Sequence, residues 1–217
     1  MQELKHYFNE MGIETFWYKK SYNKNTIEQS ETSLSSLKNI VSVCKNCDLH
    51  KTRNNTVFGE GNESAKILFI GEAPGKDEDK EGKPFVGRAG KLLTEIISSI
   101  DLTRRDIYIA NTIKCRPPNN RNPEEIEVKA CSNFLEKQIE LIKPKVIILL
   151  GKVAANRILG IDQPIGELRK KKFLIKPNNI PAIIFYHPAY LLRSPKEKKK
   201  VWEDLLFLKS VLKEYDC

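Results

Sequence analysis

The chain has 217 residues, of which 40% are hydrophobic and 30% charged. That is the composition of an ordinary globular protein and excludes a predominantly disordered one; the length gives room for a sizeable core in one compact domain. A formal charge of +9 and a pI near 9.2 favour a polyanionic partner, nucleic acid or an acidic membrane.

No apolar stretch reaches the roughly 18 residues needed to span a bilayer, and the N-terminal Met1-Gln2-Glu3-Leu4-Lys5 lacks a signal-like apolar region. A cytoplasmic protein with no membrane partner is expected. In that reducing setting the five cysteines read as metal or catalytic ligands rather than as a disulfide framework. The lysine runs Lys170 to Lys172 and Lys196 to Lys200 read equally as solvated faces and as phosphate contacts.

Residues 1 to about 40 are polar and weakly patterned. A short helix fits 3–11, and Asn23 to Asn25 with Glu28 to Ser36 read as a linker, so 1–36 are taken as an extension and 37–217 as the domain. From residue 66 onward, short apolar and β-branched runs predict four buried strands at 66–71, 107–113, 145–151 and 181–187. Helical stretches at 88–100, 123–142, 152–159 and 195–214 alternate with them. The order predicts an α/β fold, a three-layer α/β/α sandwich around a central four-stranded parallel sheet. Ligands of such sheets sit at the carboxyl ends of the strands, so those segments are where function is sought.

After the first strand comes a glycine-punctuated loop, Gly71-Glu72-Ala73-Pro74-Gly75 and then Gly82-Lys83-Pro84-Phe85-Val86-Gly87-Arg88-Ala89-Gly90. Glycines allow close backbone approach to a ligand, and the next helix start offers free N–H groups, but the spacing is neither a Walker loop nor a dinucleotide fingerprint. Phe85 could stack on a base or belong to the core. The second strand ends in Asn111, whose amide could read one edge of a base or tie down a loop, and continues through Cys115-Arg116-Pro117-Pro118 to Asn120. The fourth strand ends in His187-Pro188-Ala189-Tyr190-Leu191-Leu192-Arg193; a lone histidine is more often structural, yet this one falls beside the other strand ends. Cys44 and Cys47 precede the sheet, and Cys115 and Cys131 bracket the loop after the second strand. Four thiolates suit zinc or a four-iron cluster on ligand count. Cys217 stands apart at the terminus.

Taken together, these three motifs and four cysteines resemble the family 4 uracil-DNA glycosylases over about residues 37 to 213. The resemblance implies an uracil-DNA glycosylase-like fold and a monofunctional, monomeric hydrolase of base excision repair. Its partner is uracil-containing DNA, single- or double-stranded, and its product an abasic site. It also implies a 4Fe–4S cluster held by Cys44, Cys47, Cys115 and Cys131. Asn111 corresponds to the uracil-reading amide, Phe85 to the stacking aromatic, and His187 to the donor facing uracil O2. Gly71, Ala73 and Asn120 belong with the substrate pocket, Leu191 with the wedge that fills the gap left by the flipped base, and Arg193 with a phosphate contact. Family 1 enzymes have Asp where this chain has Ala73, so Glu72 or Glu78 is expected to orient the attacking water; Glu72 alternatively guards the pocket against the methyl of thymine. A non-catalytic DNA-binding module, as fused to phage-type polymerases, is a rival that the presence of Glu72, Phe85, Asn111 and His187 disfavours. Relatives acting on hypoxanthine and a zinc-stabilised small-molecule domain are further rivals.

Overall fold

The computed structural model describes residues 33–217. The helix expected at 3–11 and most of the expected extension lie outside the described residues. Within the described residues Ser33 caps a helix, α1 (Leu34–Ser42), by accepting from the Ser36 amide, so the stretch read as a linker up to Ser36 already contains a helix start. Leu34, Leu37 and Val41 recur at three- and four-residue spacing and are buried.

Six strands form one sheet in the order β1-β3-β2-β4-β6-β5. They are β1 (Glu60–Gly61), β2 (Ile67–Gly71), β3 (Ile107–Asn111), β4 (Val146–Leu150), β5 (Phe173–Ile175) and β6 (Ile180–Phe185). The four expected strands are the parallel centre, β3-β2-β4-β6, and β1 and β5 add antiparallel edges that the sequence did not announce. Side chains alternate across the sheet. Leu68, Ile70, Ile147, Leu149 and Ile184 face one core, shared with α1 and α4 (Glu125–Ile142). Ile67, Phe69, Ile148, Ile183 and Phe185 face another, closed by α3 (Arg88–Ser98) and α8 (Lys198–Glu214). Both faces being covered, the four central strands are apolar but for Asn111, and the result is the expected three-layer sandwich.

The remaining helices are α2 (Lys76–Glu81), α5 (Lys152–Leu159), α6 (Ile165–Leu168) and α7 (Pro188–Arg193). α2 is charged at every position and is held by a buried Asp79 carboxylate that accepts from the Asn54 amide (2.9 Å) and the Asn54 side chain (2.6 Å). In the lysine runs, Lys170, Lys172 and Lys200 pair with Glu203, Glu214 and Glu197.

Candidate active site

Parallel strands bring their carboxyl ends to one edge, and Gly71 of β2 lies in register beside Asn111 of β3. β4 ends next to them at Leu150, and β6 leads into His187. The pocket over these ends has a volume of about 480 Å³. Of the expected residues, Glu72, Ala73, Glu78, Phe85, Asn111, Asn120, His187 and Arg193 line it.

Asn111 forms the floor. It is 1% exposed, and its Oδ1 has no hydrogen-bond partner among the described residues. A buried amide oxygen left unpaired costs about 1–3 kcal/mol, so a native structure that keeps one marks a place where a ligand donor fits. Gly71 makes room for this amide: a Cβ there would run into Asn111 Oδ1 and come within 2.7 Å of the Phe85 ring.

Phe85 is both core and pocket wall. Its ring is 5% exposed and lies 5.8 Å from the His187 ring, tilted by 33°. Its φ of 53° is costly for a residue with a Cβ, by about 1–3 kcal/mol, and persists only where the surroundings dictate it. Arg104 supplies that constraint by donating to the carbonyls of Pro84 (3.3 Å), Phe85 and Gly90 (3.3 Å). The Phe85 carbonyl in turn packs onto Gly90, where any Cβ would overlap it. Arg104 lies in the loop after α3, and nothing in its sequence neighbourhood signals this role.

His187 presents a fixed tautomer. Its Nδ1 accepts from the Ala189 amide at 3.1 Å, which leaves the proton on Nε2 as a donor. Burial, and then the charge of Arg193, push its pKa down to about 4, so the ring is neutral at pH 7. Glu72 is half-buried, and desolvation raises its carboxyl above the usual range against the pull of Arg157. Glu78 uses Oε1 to accept from the Val86 and Gly87 amides, both at 3.0 Å, and ties α2 to the Phe85 loop. At the lip, Asn120 accepts from Arg116 at 2.7 Å.

Leu191 is a correction. It is 0% exposed and belongs to the second core, because the short helix α7 turns it inward. The half-buried Leu192 instead shares a surface groove with Arg88 and Arg193. Sequence reading also missed Lys152, Arg121 and Tyr190 as pocket residues.

Below the site, Cys44, Cys47, Cys115 and Cys131 line one small cavity with Arg53 and Lys114. All four are free thiols. Arg53 donates to Cys115 Sγ at 3.0 Å, and the Lys114 amide donates to Cys131 Sγ at 3.3 Å. Among the described residues, no three His, Cys, Asp or Glu side chains converge on a single-ion site. No helix among the described residues is long and apolar enough to cross a membrane.

The sequence profile of the Uracil DNA glycosylase superfamily matches residues 58–206. The type-4 uracil-DNA glycosylase of Archaeoglobus fulgidus is 47% identical over 167 residues, covering 74% of this chain and 84% of that protein. That of Thermotoga maritima is 45% identical over 187 residues, covering 80% and 92%. A DNA polymerase of Bacillus phage SP01 is 30% identical over 155 residues, which are 71% of this chain and 16% of the polymerase.

Proposed function

This chain belongs to the type-4 branch of the Uracil DNA glycosylase superfamily, and from that premise we propose that it flips uracil out of single- or double-stranded DNA and hydrolyses its N-glycosidic bond. The observation that carries the reading is the unpartnered, buried Oδ1 of Asn111 at the pocket floor. Uracil offers N3–H to that oxygen and O4 to the amide's NH2, whereas cytosine reverses both, so the discrimination is of the strong hydrogen-bonding kind. Phe85 stacks on the extruded base. As the bond breaks, negative charge grows on uracil O2, and the neutral His187 donates to it from Nε2 without first losing a proton. Glu72 and Glu78 are the carboxylates available to orient water at the sugar. Glu78 has Oε1 committed to two amides, which leaves Oε2 for that task. Arg193 contacts a backbone phosphate, and Leu192, which shares the surface groove with it while Leu191 is buried, wedges into the duplex.

The four cysteines fit a 4Fe–4S cluster: an all-cysteine donor set with two cationic side chains beside it suits an anionic cluster. When bound it supplies a structural cross-link between the end of α1, the loop after β3 and the start of α4. The chemistry is that of a cytoplasmic repair enzyme, where such thiols stay reduced. Release of uracil from single-stranded and U:G duplex oligonucleotides, followed by alkaline cleavage of the abasic product, tests the proposal. Excision from both is expected; a folded, iron-loaded protein that leaves both substrates intact would refute it.

A further inference from the structure

Lys114 is buried in the described structure, 1% exposed. Its Nζ donates to the main-chain carbonyl of Asn111 at 2.8 Å and to Oε1 of Gln138, whose own Nε2 donates to the Phe58 carbonyl at 2.9 Å. Taking an ammonium out of water costs several kcal/mol unless an anion stands beside it. Among the described residues no carboxylate pairs with Lys114, and it lines one small cavity with Cys44, Cys47, Cys115 and Cys131. Free thiols are mostly neutral near pH 7, whereas metal-bound ones are thiolates.

We propose that Lys114 is the positioning residue that links the cysteine site to base reading: its ammonium is the buried counter-ion of the metal-bound thiolates, and its hydrogen bond holds the Asn111 carbonyl at the end of β3. The proposal rests on the cluster reading above. Four thiolates around a 4Fe–4S core of charge +2 leave two net negative charges, and two cations meet them. Arg53 is the outer one, half-buried, with Nη1 on Cys115 Sγ at 3.0 Å and Nη2 on the Cys44 carbonyl at 2.9 Å. Lys114 is the inner one and the one that touches the uracil-reading residue. A cluster lost by oxidation would leave this ammonium uncompensated beside the Asn111 carbonyl that it holds.

The test uses the full-length holoprotein and two variants. Lys114→Met keeps most of the volume and removes the charge; Gln138→Glu gives Lys114 a carboxylate of its own. Redox titration followed by visible absorption reads the cluster potential, and inhibition by free uracil reads the pocket. Lys114→Met is expected to shift the potential downward, because a nearby positive charge no longer favours the reduced cluster, and to weaken uracil inhibition at least tenfold. Stripping the cluster with chelator and oxidant should lower the melting temperature of the parent clearly more than that of Gln138→Glu. Parental potential and parental uracil inhibition in iron-loaded Lys114→Met would overturn the link. If that variant does not fold, equal loss of melting temperature in the stripped parent and stripped Gln138→Glu overturns it instead. A parent purified anaerobically without iron would sink the cluster reading itself, an outcome separable from the others by iron analysis alone.

Discussion

Replacing Asn111 by Asp removes the amide donor and keeps the shape. The side chain is 1% exposed and its Oδ1 has no internal partner among the described residues, so the exchange breaks no hydrogen bond of that oxygen. What changes is the pairing with substrate: uracil O4 now meets a carboxylate oxygen, acceptor against acceptor. A buried group left unpaired costs about 1–3 kcal/mol, more when charged, and about 1.4 kcal/mol is tenfold in rate, so uracil excision should fall at least about a hundredfold. The new carboxyl stands against Gly71 and the Phe85 ring, surroundings that disfavour its ionised form. Protonated, it donates to cytosine N3 and equally to uracil O4, so the uracil loss belongs to the ionised form, and as pH falls weak cytosine excision should appear while uracil excision partly recovers. Single-turnover kinetics on U:G and C:G duplexes, with circular dichroism as the folding control, measure both effects. A folded Asn111→Asp protein that excises uracil at the parental rate would show that Asn111 is not the reader and that the pocket assignment is wrong.

Gly90→Ala should raise helix propensity in α3 yet cut activity at least about tenfold, since its Cβ overlaps the Phe85 carbonyl and displaces the stacking ring; steady-state kinetics showing parental kcat/KM would contradict this. The pH–rate profile should show no step near 6.5 and a loss on approach to pH 4, because His187 titrates at about 4 in the fold and its neutral form is the one with Nδ1 free to accept from Ala189. The same depressed pKa means that the unfolded chain binds the proton first, so the His187 contribution destabilises the fold progressively as pH falls from about 6.5 to about 4, which urea melts of parent and His187→Ala can separate. Asp204→Ala leaves Arg169, 6% exposed in its side chain, without the carboxylate it meets at 2.8 Å, and should cost about 3–5 kcal/mol in denaturant unfolding. The paired exchange Arg169→Met with Asp204→Leu should recover most of that loss.

The four central strands and the helices between them were legible because each carries its period openly: strands buried on both faces read as unbroken apolar runs, and helices as amphipathic stretches. The edges were not. Glu60–Gly61 is too short and polar to show a period, and Phe173–Ile175 is only partly buried, so pairing with a neighbour, not propensity, makes both into strands. Helix α2 has no apolar residue at all and is fixed by Asp79, whose partners lie some 25 residues earlier. Leu191 shows the limit of matching by motif. Neighbouring positions on a helix point about 100° apart, so a motif fixes where the leucines lie along the chain but not which one is exposed, and the turn of α7 buries Leu191 and leaves Leu192 at the surface groove.

Three features of the site share one physical logic that no local pattern carries. Asn111 keeps an acceptor unpaired, Phe85 holds a left-handed backbone, and Lys114 is a buried cation. Each is unfavourable alone, and each is held by residues distant in sequence: Gly71 clears space for the amide, Arg104 grips the Phe85 carbonyl, and Gln138 accepts from the Lys114 side chain. Local propensity would resolve all three the other way, with a satisfied amide, an extended phenylalanine and an exposed lysine. A chain that folds against those preferences at three neighbouring points stores the cost in a pocket whose complement is an extruded base, because a planar ring carrying one donor beside one acceptor relieves the unpaired amide and covers the phenylalanine at once.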